Sequence, residues 1–331
     1  MKIDFVLLWV DGEDPKWQEE CLKYAKHHGV VFDASRYRSW DNLHYLFRAF
    51  ERFTPWVNKI HFVTYGHLPS WLNVDHPKLN IVVHETYIDK KYLPLFNVNA
   101  LEICFQNIPE LSEYFVYFND DTFIIDDLPK ERFFKNGLPC DQLVCNAISS
   151  SSGAGHFVLN DIEVLNRHFS KKHSIKKDFF KWFHPKYGTG NLRNIALLPW
   201  PRFTGFMNPH MPQPFLKNTF EELWEKEEEL LEKTVQSKFR ECYNVNQYLF
   251  RYWQLAKGSF SPSGIRDMIY VEPTIEDLRN GVVSKVIEDP KYRFLCINDN
   301  SDISNKEFRE AKQIVVDAFE HILPDKSEYE L

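Results

Sequence analysis

Residues Phe115 to Asp127, FVYFNDDTFIIDD, leave this chain few ways to fold. An apolar run from Phe115 to Phe118 stops at Asn119-Asp120-Asp121, and a second apolar run, Thr122 to Ile125, leads away from it. Short runs of β-branched and aromatic residues bounded in this way read as buried strands. Two adjacent carboxylates then sit at the carboxyl end of a strand. Open α/β sheets hold ligands at that edge, and paired carboxylates there can hold a divalent cation against a diphosphate. An Asx turn between two strands is the competing reading of the same residues.

The N-terminus repeats the pattern. Ile3 to Val10 is a strand interrupted by Asp4, and it ends at Asp11-Gly12-Glu13-Asp14-Pro15. Gly12 gives this turn backbone freedom, and Pro15 can open a helix over Trp17 to Lys26. Leu43, Leu46, Phe47 and Phe50 lie at helical spacing within Asp41 to Phe53, after a polar link carrying Arg36 and Arg38. Ile60 to Thr64 and Ile81 to Val83 read as strands, and Leu93 to Gln106 as a loop passing into a helix with Asn97 or Asn99 as its cap. This alternation predicts an α/β fold, a mainly parallel, Rossmann-like sheet with flanking crossover helices. Glu102 falls one turn inside the short helix, among Leu101, Ile103, Cys104 and Phe105. The pattern alone favours a solvated helix face for it.

Further on, Leu143 to Ile148 reads as a strand. The SSSSGAG run at 149–155 reads as a flexible loop, because it lacks the GK[ST] ending of a phosphate-binding loop. Residues 160–200 are helical pieces joined by basic, aromatic-rich links such as KKHSIKKDFFKWF, by default a solvated surface, with an acceptor polymer or an anionic membrane as the functional readings. Two prolines stiffen Pro209-His210-Met211-Pro212. Thr219 and Glu222 fit a capping box that opens a glutamate-rich helix; Arg240 and a second helical stretch through Leu255 follow. Arg293 to Ile297 is a last strand, ending in Asn298-Asp299-Asn300, and Asn305 to Ile322 is a closing helix. With no repeat or linker in evidence, 1–331 reads as one catalytic unit, with a helical insert at about 155–265.

Composition narrows the class of function. A net charge of -7 gives no global basic field, which argues against nucleic acid as a partner and makes any anion site local. The six cysteines form no CxxC pair, so they indicate neither a zinc knuckle nor a disulfide framework and read as reduced core thiols. No apolar run approaches the ~20 residues of a membrane-spanning helix. The expectation is a soluble, cytoplasmic protein able to sit on the inner face of the cell membrane.

Four strand ends or rigid loops thus carry polar groups: Asp11, Asp120 with Asp121, His210, and Asn298 with Asp299. Their order and contexts resemble the Stealth family of sugar-phosphate transferases, which includes bacterial capsular polysaccharide phosphotransferases and the lysosomal-targeting N-acetylglucosamine-1-phosphotransferase. The likeness is carried by IDFVLLWVDGEDP, by the block from Arg38 to Ile125 that ends in YFVYFNDD, by HMPQPF at 210–215 with Arg240 after it, and by FLCINDN at 294–300. The stretch from about 126 to 208 offers no usable motif for this resemblance. Members with long extra modules and membrane anchors differ from this chain, which favours a compact bacterial enzyme.

The resemblance implies a reaction in which a sugar-1-phosphate moves from a UDP-sugar to a hydroxyl of a polysaccharide or glycolipid-linked acceptor, with release of UMP. It implies Glu102, Asp121, His210 and Arg240 as catalytic residues, and Asp11, Gly12, Asn119, Asp120 and Asn298 as binding positions for donor and cofactor. Mg²⁺ or Mn²⁺ is the expected cofactor, on Asp121 and Asp299. His210 and Glu102 both remain candidates for the base. A metal-dependent glycosyltransferase releasing UDP and a carbohydrate-binding protein are the rival readings.

Overall fold

The computed structural model describes residues 1–31, 38–149, 153–300 and 302–331; Arg36 and the serines at 150–152 lie outside the described residues. Strand β1 (Ile3–Leu8) is followed by helix α1 (Pro15–His28), which starts where the sequence predicts. The Asp14 side chain accepts from the Trp17 N–H, Pro15 takes the first turn, and Gly29 closes the helix with a left-handed φ of 66°. Helix α2 (Leu43–Phe53), strands β2 (Ile60–Thr64) and β3 (Leu79–Val83), the short helix α3 (Val98–Glu102), and strand β4 (Tyr114–Asn119) come next. Asn97 is the cap of α3, its side chain accepting from the Asn99 N–H.

Beyond β4 come β5 (Thr122–Ile124), β6 (Phe134–Lys135) and β7 (Leu138–Asp141). The helices α4 (Gly153–His168), α5 (Lys171–Lys177), α6 (Phe179–Trp182) and α7 (Gly190–Ala196) then lead to β8 (Gln213–Leu216), α8 (Lys217–Gln236) and α9 (Gln247–Lys257). The chain closes through β9 (Ser261–Pro262), β10 (Met268–Val271), α10 (Ile275–Arg279), α11 (Val282–Glu288), β11 (Phe294–Ile297) and α12 (Asn305–Ile322). No helix among the described residues is long and apolar enough to cross a membrane.

The central sheet runs β3-β2-β1-β4-β8, with the first four strands parallel and β8 antiparallel to β4. That is the α/β, Rossmann-like order expected. Strand order reverses between β1 and β4, and such a switch point opens a crevice at the carboxyl edge. β5, β10 and β11 form a second sheet, and β6, β7 and β9 a third. Phe5, Phe50, Phe118 and Phe133 meet edge to face or tilted between β1, α2, β4 and the loop before β6, and all are buried. The one charge inside β1, Asp4, is wholly buried at the opposite edge, accepting from Asn58 Nδ2 (2.7 Å) and the Ser112 N–H (2.7 Å) beside His61. It serves the sheet and leaves the crevice alone.

Several local expectations are corrected. Leu143 to Ile148 is no strand: it makes one isolated bridge, Cys145 to Phe206, because Asn146 and Ile148 bond instead to the backbone of Gly205 and Thr204. The run at 149–155 is not loop throughout, since α4 begins at Gly153. Thr219 does not cap α8. β8 runs straight into that helix, Lys217 N–H donates to Glu113 O, and Thr219 is buried with its hydroxyl on Gln254. The helices between α4 and α9 are interrupted by β8, which belongs to the central sheet.

Arg251, in the middle of α9, is fully buried and donates to both carboxylate oxygens of Asp141 at 2.8 and 2.9 Å. Breaking a buried pair from one side leaves an uncompensated charge. Arg251→Met is therefore expected to destabilise the protein by roughly 3–5 kcal/mol, read as a drop in the urea midpoint. A loss below about 1 kcal/mol would show that the pair does not brace the fold.

Candidate active site

The parallel register sets Leu8 beside Asn119, so the turn after β1 and the turn after β4 are neighbours at the crevice. Between β4 and β5 the chain reverses at Asp120-Asp121. Thr122 Oγ1 donates to Asn119 O (2.9 Å) and the Ile297 N–H donates to Asp121 O (2.9 Å), which fixes the reversal against the end of β11. Strand pairing thereby gathers three of the polar strand ends read from the sequence.

The stiff loop at 209–212 brings in the fourth. His210 Nε2 lies 3.0 Å from Asp121 Oδ2 and 3.4 Å from Asn119 Nδ2. A carboxylate can only accept, so the Nε2–H donates to Asp121 and the Nδ1 of the neutral ring carries the lone pair. The bond to Asp121 raises the imidazole pKa above its ordinary value, against the opposing effect of burial. Tyr270 packs edge-on to His210 at 6.1 Å, and the Asn298 side chain interacts with Tyr270. The other oxygen of the acid, Asp121 Oδ1, is buried and has no hydrogen-bond partner among the described residues.

Glu102 corrects the solvated-face expectation, since it is only 7% exposed. Tyr117 Oη donates to its Oε1 at 2.9 Å, and the Gln247 N–H donates to its Oε2 at 3.4 Å. Burial pushes this carboxyl up to about 7, with Tyr117 and the charges of Arg240 and His210 pulling the other way. Arg240 sits on the exposed link between α8 and α9, not in a helix, and makes no hydrogen bond or ion pair with a described residue. Its guanidinium acts on Glu102 through space. Asp120 faces solvent at the crevice mouth, and desolvation by the surrounding walls, followed by the Asp121 charge, raises its carboxyl, with the open face screening part of that effect.

The remaining residues read from the sequence are placed less centrally. Asp11 closes its own turn, Oδ1 accepting from the Glu13 N–H (2.9 Å), while its backbone N–H donates to His67 Nε2 (2.7 Å). Gly12 is buried and its carbonyl accepts from Gln18 (2.6 Å), so this turn is a rigid wall beside the carboxylates. Asp299 does not join Asp121. Both its oxygens are held by Arg38 in a bidentate pair at 2.7 and 2.8 Å, and its metal-ligand expectation is replaced by a structural one.

The side chains that do come together around Asp121 are His210 and Cys296, each offering an atom within 4.8 Å of the others. Burial and the adjacent Asp121 carboxylate push the Cys296 thiol far up, and its soft sulfur suits a hard ion such as Mg²⁺ or Mn²⁺ poorly. The orphaned Asp121 Oδ1, with Asp120 beside it in the chain, does suit Mg²⁺ or Mn²⁺, which take one or two carboxylates and complete their shell with phosphate oxygens and water.

Comparison with known proteins agrees with the motif order. Stealth protein CR1, conserved region 1, matches residues 1–29; Stealth protein CR2, conserved region 2, matches 36–141; and Stealth protein CR4, conserved region 4, matches 285–331. Similar over nearly its whole length is a capsular polysaccharide phosphotransferase WcwK from Streptococcus pneumoniae, 42% identical over 99% of this chain and 98% of the relative. The chain belongs to the Stealth family. Other relatives of the family are an exopolysaccharide phosphotransferase cps2G of Lactiplantibacillus plantarum, 35% identical over 99% of this chain and 96% of that one, and a receptor polysaccharide phosphotransferase WefC of Streptococcus oralis, 36% identical over 100% and 99%. Among solved structures, a galactosyltransferase LgtC in complex with donor and acceptor sugar analogs aligns over 98% of both chains at 10% identity, with a TM-score of 0.39. Glu102 and Asp121 lie in the family's second region and Asn298 in its fourth, while His210 and Arg240 fall between the matched regions.

Tyr117, Cys296 and Arg251 belong to this neighbourhood and were not singled out in the sequence. Tyr117 is hidden in an apolar strand, whereas Arg251 had a legible signal, a lone charge in the run LFRYW.

The raised Glu102 has a consequence for stability. The folded state holds its proton between the ordinary carboxyl value and about 7 while the unfolded chain does not, so stability falls as pH rises through that window. Glu102→Gln removes this dependence. At pH 5 the variant and wild type are expected to unfold alike in urea without added metal; at pH 8 the variant should be the more stable, by at most on the order of 3 kcal/mol. A Glu102→Gln protein that loses stability as pH rises as steeply as wild type would refute the assignment.

Proposed function

We propose that this protein transfers a sugar-1-phosphate from a UDP-sugar to a hydroxyl of a cell-surface or capsular polysaccharide, forming a phosphodiester and releasing UMP. The observation that carries this reading is the constellation at the sheet edge: an imidazole oriented by Asp121, with an unpaired guanidinium, Arg240, in electrostatic contact with the same group of acids. A base and a bidentate phosphate clamp are what phosphoryl transfer to an alcohol requires. Three polysaccharide phosphotransferases that align end to end with the chain support it.

In this reading the acceptor oxygen attacks the phosphorus that bears the sugar. The bond from that phosphorus to the bridging oxygen breaks, its electron pair leaves on UMP, and the acceptor proton passes to His210 Nδ1. Arg240 pairs with the non-bridging oxygens, where charge gathers in the transition state. Glu102, buried behind Tyr117, interacts with Arg240 through space, and its charge favours the protonated form of His210. Asp121 and Asp120 would hold Mg²⁺ or Mn²⁺, which when bound neutralises the diphosphate.

Product analysis decides between this chemistry and glycosyl transfer. Chromatography of the nucleotide product is expected to give UMP, with a phosphodiester resonance in the phosphorus NMR spectrum of the acceptor; UDP without that resonance would establish the glycosyltransferase alternative. His210→Ala should lower turnover by roughly a hundredfold or more at near-unchanged donor affinity. Arg240→Lys should also cost much of the rate, because a point charge cannot reproduce a guanidinium fork. A His210→Ala enzyme within a few-fold of wild type would remove His210 from the role of base.

A further inference from the structure

Between Lys171 and Ala196 the polar side chains of Lys171, Ser174 and Asn194 are buried while several large apolar ones are exposed. In α7, Asn194 is buried: its Oδ1 accepts from the Cys145 N–H (2.6 Å), and its Nδ2 donates to Leu143 O (2.9 Å) and Trp182 O (2.8 Å). These three bonds fix the rotation of the helix and join it to α6. Leu192 and Ile195, one turn apart, are consequently turned out and are 67% and 54% exposed. In α6, Trp182 is the buried anchor, and Phe180, two residues before it, is 84% exposed. The next turn is held open in the same way. Buried Lys171 donates to the carbonyls of Leu197 and Trp200 at 2.5 and 3.0 Å, and the Trp200 side chain stays half-exposed. Exposed large apolar residues gathered on one module mark a binding surface, since scattered ones are the norm.

Charge says what the surface binds. Between Lys171 and Arg202 there are eight Lys or Arg and one acid, Asp178, a net of +7 within a chain of -7, so the rest of the molecule carries -14. Exposed Phe180, Leu192, Ile195 and Trp200, with the exposed cations Lys172, Lys176 and Arg202 on the same stretch of an otherwise acidic protein, have the chemistry of a peripheral contact with an anionic bilayer, in which apolar side chains enter the headgroup boundary and cations meet lipid phosphates. A second copy of this chain would bring like charge to like charge at this face. We infer that α6, α7 and the loop to Trp200 dock the protein on the surface of an anionic phospholipid membrane.

Flotation of the full chain with vesicles tests this independently of any catalytic reading, because no substrate is needed. Vesicles of phosphatidylcholine with about a third phosphatidylglycerol should carry the protein, with at least about a tenfold weaker partition to pure phosphatidylcholine and at high salt. The double variant Phe180→Asp/Leu192→Asp and, separately, Lys172→Glu/Lys176→Glu should each reduce partition by about tenfold or more, with an unchanged far-ultraviolet circular dichroism spectrum. Absence of vesicle binding by the wild type overturns the inference, as does binding that both variants retain. A wild-type dimer in light scattering that Phe180→Asp/Leu192→Asp dissolves, without flotation, would assign the face to self-association and overturn it too.

Discussion

The placement of His210 depends on one buried charge, Arg251. Its Nε and one terminal nitrogen are held by Asp141, and its remaining donors go to Gln142 O (3.1 Å), Met207 O (2.9 Å) and Asn208 Oδ1 (3.0 Å). Gln213 adds a further bond to Asp141. A desolvated guanidinium with every direction satisfied contributes little net stability, but it tolerates one arrangement of its partners only. Those partners bracket the loop at 207–213. Tyr252 Oη donates to Asn208 (2.9 Å) and Tyr248 Oη reaches Pro209 O (3.4 Å), so α9 grips the loop on the residues just before His210. Pro209 and Pro212 then restrict the backbone of the loop that presents the imidazole to Asp121.

A second polar node does the same for Arg240 and Glu102. Asn97 is wholly buried; its Oδ1 caps α3, and its Nδ2 donates to Ser237 O (3.1 Å), Phe239 O (3.2 Å) and Asn244 Oδ1 (2.9 Å). Phe96 stacks on Phe239 at 5.4 Å. One asparagine thereby ties the start of the helix carrying Glu102 to the link carrying Arg240. The two residues are far apart in sequence and become neighbours because a short helix cap was used twice, once for its own helix and once for another loop.

These nodes explain what the sequence could and could not disclose. Strands such as Phe115–Phe118 and helices such as Asn305–Ile322 were legible because their burial is written as local periodicity. The Asn119-Asp120-Asp121 turn was legible because a strand end is also local. The burial of Glu102 was not, since it depends on α9 and Tyr117 covering it from outside its own helix, and no spacing within 93–106 encodes that cover. Thr219 failed as a cap for a related reason: a capping box is a local signal, and β8 overrides it by continuing directly into α8. Asp299 resembled a ligand in sequence because Asn-Asp-Asn follows a strand as Asn-Asp-Asp does, yet its partner, Arg38, is 261 residues away in the chain and in no helix or strand.

The site is built against its own electrostatics. Glu102 and Asp161 are pushed upward by burial, Asp161 with one oxygen lacking any partner among the described residues, and solvent-facing Asp120 is pushed upward by desolvation from its walls and by the Asp121 charge. Each such shift marks a carboxylate whose negative charge is costly where it stands. A cation alone would relieve them but leave excess positive charge beside Arg240 and His210; a diphosphate alone would meet a wall of acids. In the reaction proposed above, the two together would neutralise both sets, with Asp120 and Asp121 holding the cation. In that reading, acids and cations facing one crevice would favour joint over separate binding of ion and nucleotide, because each would bring the charge that the other leaves unbalanced.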